Sequence, residues 1–205
     1  CGYLSYTNGI RIGLAGECVY DNNKLITIKN VSSLNIRIPH NIDGCSGQII
    51  DYVVKNRTIN NTLIISPPFC GKTTILKDLA NKLNNLEIGS ILILDERGEF
   101  CDIKGVNIDA IRYCDKLYGF NYGLRSLSPR VVITDELCGN NDWKCVQNAS
   151  DSGVKVIATV HAKSLCDLKA KSEFKTNIFS RYVILENNLK MGEIQGIYNS
   201  EFEKI

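Results

Sequence analysis

The sequence predicts an α/β fold: a mainly parallel sheet with helices on both faces, preceded by a small β-rich module. Three observations predict it. Apolar runs alternate with helix-patterned segments from Leu63 onward, two of those runs end in the same Asp-Glu pair, and Tyr3 to Ile38 is made of β-like runs broken by turn signals.

The first module reads as Ile10 to Leu14, Cys18 to Tyr20, a turn at Asp21-Asn22-Asn23, then Leu25 to Ile28 and Leu34 to Ile38. Pro, His, Asn, Asp and Gly cluster from Pro39 to Gly44, which sets the boundary between a module over 1–43 and a domain over 44–205. The chain opens on Cys1 with residues already patterned as strand and turn, so an N-terminal segment is expected to precede it. Beyond the boundary, Ile49, Ile50 and Val53 have helical spacing. Strand Leu63 to Ile65, helix Thr74 to Leu83, strand Ile91 to Leu94 and a helix near Leu117 to Leu127 follow. Strand Val131 to Ile133, a helix near Trp143 to Ala149 and strand Val154 to Ala158 continue the alternation, which argues for parallel strands joined by helical crossovers. Tyr182 to Leu185 and Ile194 to Tyr198, around Asn187-Asn188, read as a hairpin.

Composition narrows the function classes. With 205 residues, 44% hydrophobic and 22% charged, the chain can bury a substantial core. A net charge of +2 supplies no broad basic field, so nucleic acid is not an expected partner. Nine cysteines without a C-x-x-C read as reduced thiols and point to the cytosol. Cys138 and Cys145 lack the histidines that a metal site would need. No run is long enough to cross a membrane, so direct insertion is not expected.

The strongest motif is Ser66-Pro67-Pro68-Phe69-Cys70-Gly71-Lys72-Thr73-Thr74, directly after the apolar run Thr62 to Ile65. Backbone N–H groups around Gly71 would cradle phosphate oxygens, Lys72 would neutralise terminal phosphates and the Thr73 hydroxyl would ligate Mg²⁺. Ser66 stands where the general G-x-x-x-x-G-K-[ST] pattern has its first glycine. Pro67 pushes the residue before it toward extended geometry, which serine adopts without strain, so the loop is expected to survive. The plainer reading, a helix start rich in Gly and Thr, does not account for the strand before it and the amphipathic Ile75, Leu76, Leu79 and Leu83 after it.

Ile91 to Leu94 runs into Asp95-Glu96, and Val131 to Thr134 into Asp135-Glu136. Such acids lie at the carboxyl edge of a parallel sheet, where ligands bind. There Asp135 is expected to hold Mg²⁺, and Glu136 to orient and deprotonate an attacking water. Buried strands also commonly end in solvated acids, and it is the pairing of two such ends with a phosphate loop that favours the functional reading. Val156 to Val160 ends in His161, which either senses the γ-phosphate or serves as a structural hydrogen-bonder. His40 has no comparable context. Arg97, Arg125 and Arg181 are candidates to stabilise transferred phosphate, and Arg97 serves equally as a salt-bridge partner of the acids around it.

The phosphate loop with its two prolines and cysteine, Asp95-Glu96-Arg97-Gly98-Glu99, Leu124 to Pro129, Asp135-Glu136, Ala158-Thr159-Val160-His161 and the run Gly9 to Gly13 followed by Gly16-Glu17 together resemble the stage III sporulation AA family. That family is in turn similar to the secretion ATPases of type II and type IV systems and of type IV pili. The resemblance covers most of the chain. It implies a RecA-like P-loop core, ATP and Mg²⁺ as ligands, and assembly as a hexamer. It further implies a cytoplasmic ATPase at the mother-cell face of the forespore membrane, acting on membrane proteins of the sporulation channel. By position, Ser66 to Thr74 would bind nucleotide and Asp95, Glu96 and Glu99 would form an acidic box. Thr73 and Asp135 would hold the metal, Glu136 the water, His161 a histidine box, and Arg125 the arginine ahead of the second acidic strand. The alternative is a scaffold that binds ATP to control its assembly and scarcely hydrolyses it.

Overall fold

The computed structural model describes residues 4–6, 10–38, 42–186 and 192–205; Cys1, Gly9, Pro39, His40 and the Asn187-Asn188 turn lie outside them. The chain divides into two compact units, Cys1–His40 and Asn41–Ile205. The expected boundary, from Pro39 to Gly44, falls partly outside the described residues.

In the first unit, β1 (Leu4–Ser5), β2 (Arg11–Asp21) and β3 (Lys24–Arg37) form an antiparallel sheet in the order β1-β2-β3. The runs read separately from the sequence are two long strands. Register shifts between Ala15 and Glu17 and between Val19 and Tyr20 interrupt the side-chain alternation, which is why the pattern looks broken. Asn22 and Asn23 both have positive φ, as a tight turn between twisted strands requires.

The second unit opens with a turn over Gly44 to Ser46, which Asp78 ties to the helix after the phosphate loop by accepting from Gly44 N (2.9 Å) and Ser46 N (2.8 Å). Then come α1 (Ile50–Val53) and the small pair β4 (Val54–Lys55) and β5 (Thr58–Ile59). The main elements follow: β6 (Thr62–Ser66), α2 (Lys72–Asn85), β7 (Ile91–Asp95), β8 (Ile108–Arg112), α3 (Lys116–Ser126), β9 (Val131–Thr134), α4 (Gly139–Asp151), β10 (Lys155–His161), α5 (Leu165–Lys169), β11 (Arg181–Leu185) and β12 (Ile194–Tyr198). They build a seven-stranded sheet in the order β12-β11-β6-β10-β9-β7-β8. Every neighbouring pair is parallel except β11 with β12, which form the expected hairpin.

Alternation along the central strands builds two cores. Ile64, Ile93, Ile133 and Ile157 face α2, where Ile75, Leu76, Leu79 and Leu83 meet them. Leu63, Leu92, Val132 and Val156 turn to the other side, against Phe120 of α3, Trp143 and Val146 of α4 and Leu168 of α5. A strand buried on both faces needs no polar alternation, which explains the near-continuous apolar runs. Gly123 lets α3 settle close to the sheet, because a methyl there would strike the side chain of Leu92.

Besides the small β4–β5 pair, two elements were not legible in the sequence reading. Edge strand β8, Ile108-Asp109-Ala110-Ile111-Arg112, is only half-buried and carries two charged residues, so its pattern is that of a solvated segment. The short helix α5 is capped by Ser164, whose hydroxyl accepts from Asp167 N.

Candidate phosphate-binding and hydrolytic site

Strand register assembles the site. On β6 and β10, Ser66 lies directly beside His161. On β10 and β9, Ala158 lies beside Thr134, and on β7 and β9, Leu94 lies beside Thr134. The phosphate loop, His161, Asp135-Glu136 and Asp95-Glu96 therefore emerge in a row at one carboxyl edge, where open α/β sheets take ligands.

Ser66 is the last residue of β6 and is fully buried. Its backbone is extended, as Pro67 predicts, and glycine's freedom is not needed there. The left-handed positions are Phe69 (φ 64°) and Gly71 (φ 90°). Phe69 projects into solvent, so its side chain holds nothing in this loop. Gly71 is the N-cap of the fourteen-residue helix α2, whose first turn carries no acid. Its unpaired N–H groups and positive dipole end face the loop, which suits an anion.

Lys72 reaches back across the loop. Its ammonium has three protons for four acceptors within reach: Pro67 O (2.7 Å), His161 Nδ1 (3.0 Å), Ser66 O (3.1 Å) and Ser66 Oγ (3.1 Å). Burial lowers its pKa to about 8. His161 Nδ1 also lies 3.4 Å from Ser66 O, and its Nε2 is 3.2 Å from Glu136 Oε1, so the ring bridges the loop and the acid. The other carboxylate oxygen of Glu136 is 2.9 Å from Arg97 Nη1. Burial alone would raise the Glu136 pKa, but Arg97 and His161 hold it below the usual carboxylate range.

The acidic pairs divide their work. Asp95 is fully buried and accepts from Glu99 N (2.8 Å) and Phe100 N (2.9 Å), so it shapes the loop rather than meeting a ligand. That loop delivers Glu99, whose Oε2 accepts the Thr73 hydroxyl proton at 2.9 Å. The lone pairs of Thr73 Oγ1 are thereby left for a cation. Asp135 is buried, and its Oδ1 accepts no hydrogen bond, although Lys116 Nζ lies 3.5 Å away. Burial raises the Asp135 pKa to about 6, against the pull of Lys116.

Three further candidates lie as follows. Glu96 is half-exposed and pairs with Lys116 at 2.8 Å. Arg125 is exposed on α3, lining a cavity of about 500 Å³ with Tyr118, Asn121 and Tyr122. It stands nine residues beyond Lys116, about 13 Å along the helix axis, and so away from the site of its own chain. Arg181 pairs with Thr62 in register, at the end of β6 opposite the loop. The residue that the sequence reading missed is Lys116, at the start of α3, where nothing local marks it as part of the site.

Hydrated Mg²⁺ favours a few oxygen ligands completed by water and phosphate. Thr73 Oγ1 and the unbonded Asp135 Oδ1 fit that donor set. Among the described residues no three His, Cys, Asp or Glu side chains converge to hold a metal by themselves.

Fold, loop and acidic edge together define a P-loop protein with the fold of the secretion ATPases. The chain belongs to the family described as sporulation stage III, protein AA, which it matches over residues 1–205. It is 33% identical over 217 residues to stage III sporulation protein AA of Bacillus subtilis (strain 168), covering 98% of this chain and 70% of that one. Among solved structures, the ATPase DotB of Legionella pneumophila superposes with a TM-score of 0.61 at 12% identity, covering 85% of this chain and 52% of that one. The VirB11 ATPase of the Brucella suis type IV secretion system, in complex with sulphate, gives 0.57 at 13% identity, covering 96% and 75%. The chain thus spans about half the length of DotB. Among the described residues no helix is long and apolar enough to cross a membrane.

Proposed function

We propose that the chain is a Mg²⁺-dependent ATPase that energises assembly of, or transport through, the channel between mother cell and forespore, working as a hexamer at the mother-cell face of the forespore membrane. The observation that carries the enzymatic part is the convergence of the Ser66–Thr74 loop, Asp135 Oδ1 and the Arg97-Glu136-His161-Lys72 chain at one sheet edge. Membership of the sporulation family and the likeness to DotB and VirB11 support the cellular part.

Each residue has a derived task. Loop N–H groups around Gly71 take up phosphate oxygens, and Lys72 exchanges its contacts with Ser66, Pro67 and His161 for the terminal phosphates. Thr73 and Asp135 would hold the Mg²⁺, which supplies charge neutralisation on the phosphates when bound. Glu136, kept ionised by Arg97 and His161, accepts the proton of the water that attacks the γ-phosphorus as the bond to the bridging oxygen breaks, leaving ADP and phosphate. His161, tied to both Lys72 and Glu136, links arrival of phosphate at the loop to placement of the base. Arg125, outside the site of its own chain, would act only on a neighbouring copy.

ATP and GTP hydrolysis measured beside mass in solution, with and without nucleotide, tests the proposal. The expected result is Mg²⁺-dependent phosphate release whose specific activity rises as the chain oligomerises. Nucleotide-dependent assembly without turnover would instead establish the gated scaffold.

A further inference from the structure

Lys116 is a buried cation in an unfavourable place. It is the first residue of α3, where the helix dipole disfavours positive charge, and only 6% of it is exposed. Three carboxylates compensate: Glu96 at 2.8 Å, Asp135 at 3.5 Å and Asp142 at 4.0 Å. They come from three segments of the fold, the loop after β7, the end of β9 and the first turn of α4. Asp142 is itself fixed, since its Oδ2 accepts from Cys138 N at 2.8 Å. Asp115, one residue before Lys116, caps α3 by accepting from Tyr118 N, so the position of Lys116 is set by the helix start.

The acids around Lys116 are not treated alike. Here the 2.8 Å hydrogen bond goes to half-exposed Glu96, while Asp135 Oδ1, the buried oxygen, receives charge without a hydrogen bond. That oxygen has an ion-pair partner and no hydrogen bond. That arrangement suits an oxygen whose other partner is a hydrated cation.

We propose that Lys116 is a positioning residue for the metal carboxylate: anchored through Glu96 and Asp142, its ammonium holds Asp135 by charge at 3.5 Å without a hydrogen bond to Oδ1, which stays available to Mg²⁺ or its water shell. The inference rests on the ATPase reading of the site. Lys116 acts through Asp135.

Mn²⁺ bound with ADP, followed by electron paramagnetic resonance on the full chain, tests it without turnover. Losing an outer-shell partner of a metal ligand weakens metal affinity by about 10–100-fold. Lys116→Met is expected to weaken Mn²⁺ binding by that factor while ADP binding without metal stays within about twofold, and Lys116→Arg is expected to restore most of the Mn²⁺ affinity. Lys116→Gln keeps a hydrogen bond to Glu96 while removing the charge, and carries the test should the methionine variant fail to fold. Unchanged Mn²⁺ affinity in a folded neutral variant would overturn the inference and leave the ATPase reading standing. Parallel loss of metal-free ADP binding would also overturn it, by showing a general structural role. Wild-type chain that binds no Mn²⁺ with ADP would overturn both.

Discussion

Lys72 Nζ and His161 Nδ1 lie 3.0 Å apart, joining the phosphate loop to the end of the neighbouring strand β10. The contact is possible because β6 and β10 are parallel, with Ser66 and His161 in register. A cation held this deep is destabilising until a ligand uses it.

Burial lowers the Lys72 pKa to about 8 from 10.5, so charging it costs the folded state more than the unfolded chain. That cost is fully present below about pH 8 and fades as pH rises toward 10.5, because the unfolded chain then binds more protons at this site. Urea unfolding of wild type and Lys72→Met at several pH values should show their difference moving in favour of wild type by about 1–3 kcal/mol between pH 7 and 10.5. The same variant should lose tight ATP binding. A pH-independent difference would refute the burial argument.

Asp135 shows the same tension with opposite charge. Its pKa is raised to about 6 from 3.8 by burial, so its ionised form costs stability above about pH 6, and the cost disappears as pH falls toward 3.8. Asp135→Asn should therefore be more stable than wild type by about 1–3 kcal/mol near pH 7, with the gain shrinking toward pH 4. Its Mg²⁺-dependent phosphate release should be lost. Unfolding curves and phosphate release on the same samples check both.

Asp95 is the structural acid of the set. Asp95→Ala strands the buried N–H groups of Glu99 and Phe100 and should cost about 2–4 kcal/mol in urea unfolding, since each unsatisfied buried donor costs about 1–3. Asp95→Asn retains one acceptor and should cost less. Equal, small effects from both would show that the loop holds its shape without this cap.

Much of this molecule was legible because its signals are local. The loop motif, the apolar runs into Asp-Glu and the strand into His161 each occupy a few consecutive residues, and burial on both faces makes β6, β7, β9 and β10 conspicuous. What stayed hidden depends on strand order. Lys116 meets Asp135 only because β8 lies beside β7 and β7 beside β9, and β8 has too mixed a pattern to be read as a strand. For the same reason Asp95 and Asp135, alike in sequence context, have different tasks: one caps a loop and the other keeps an oxygen unbonded.

Glu136 bears the central claim, and its amide tests it most directly. Phosphate release and nucleotide binding measured together on wild type and Glu136→Gln should show binding retained and turnover lowered by about 10²–10⁴-fold, the contribution typical of a positioned general base. Equal turnover in the two proteins would contradict the assignment and move the base elsewhere in the site, with Glu99 the next carboxylate beside Thr73.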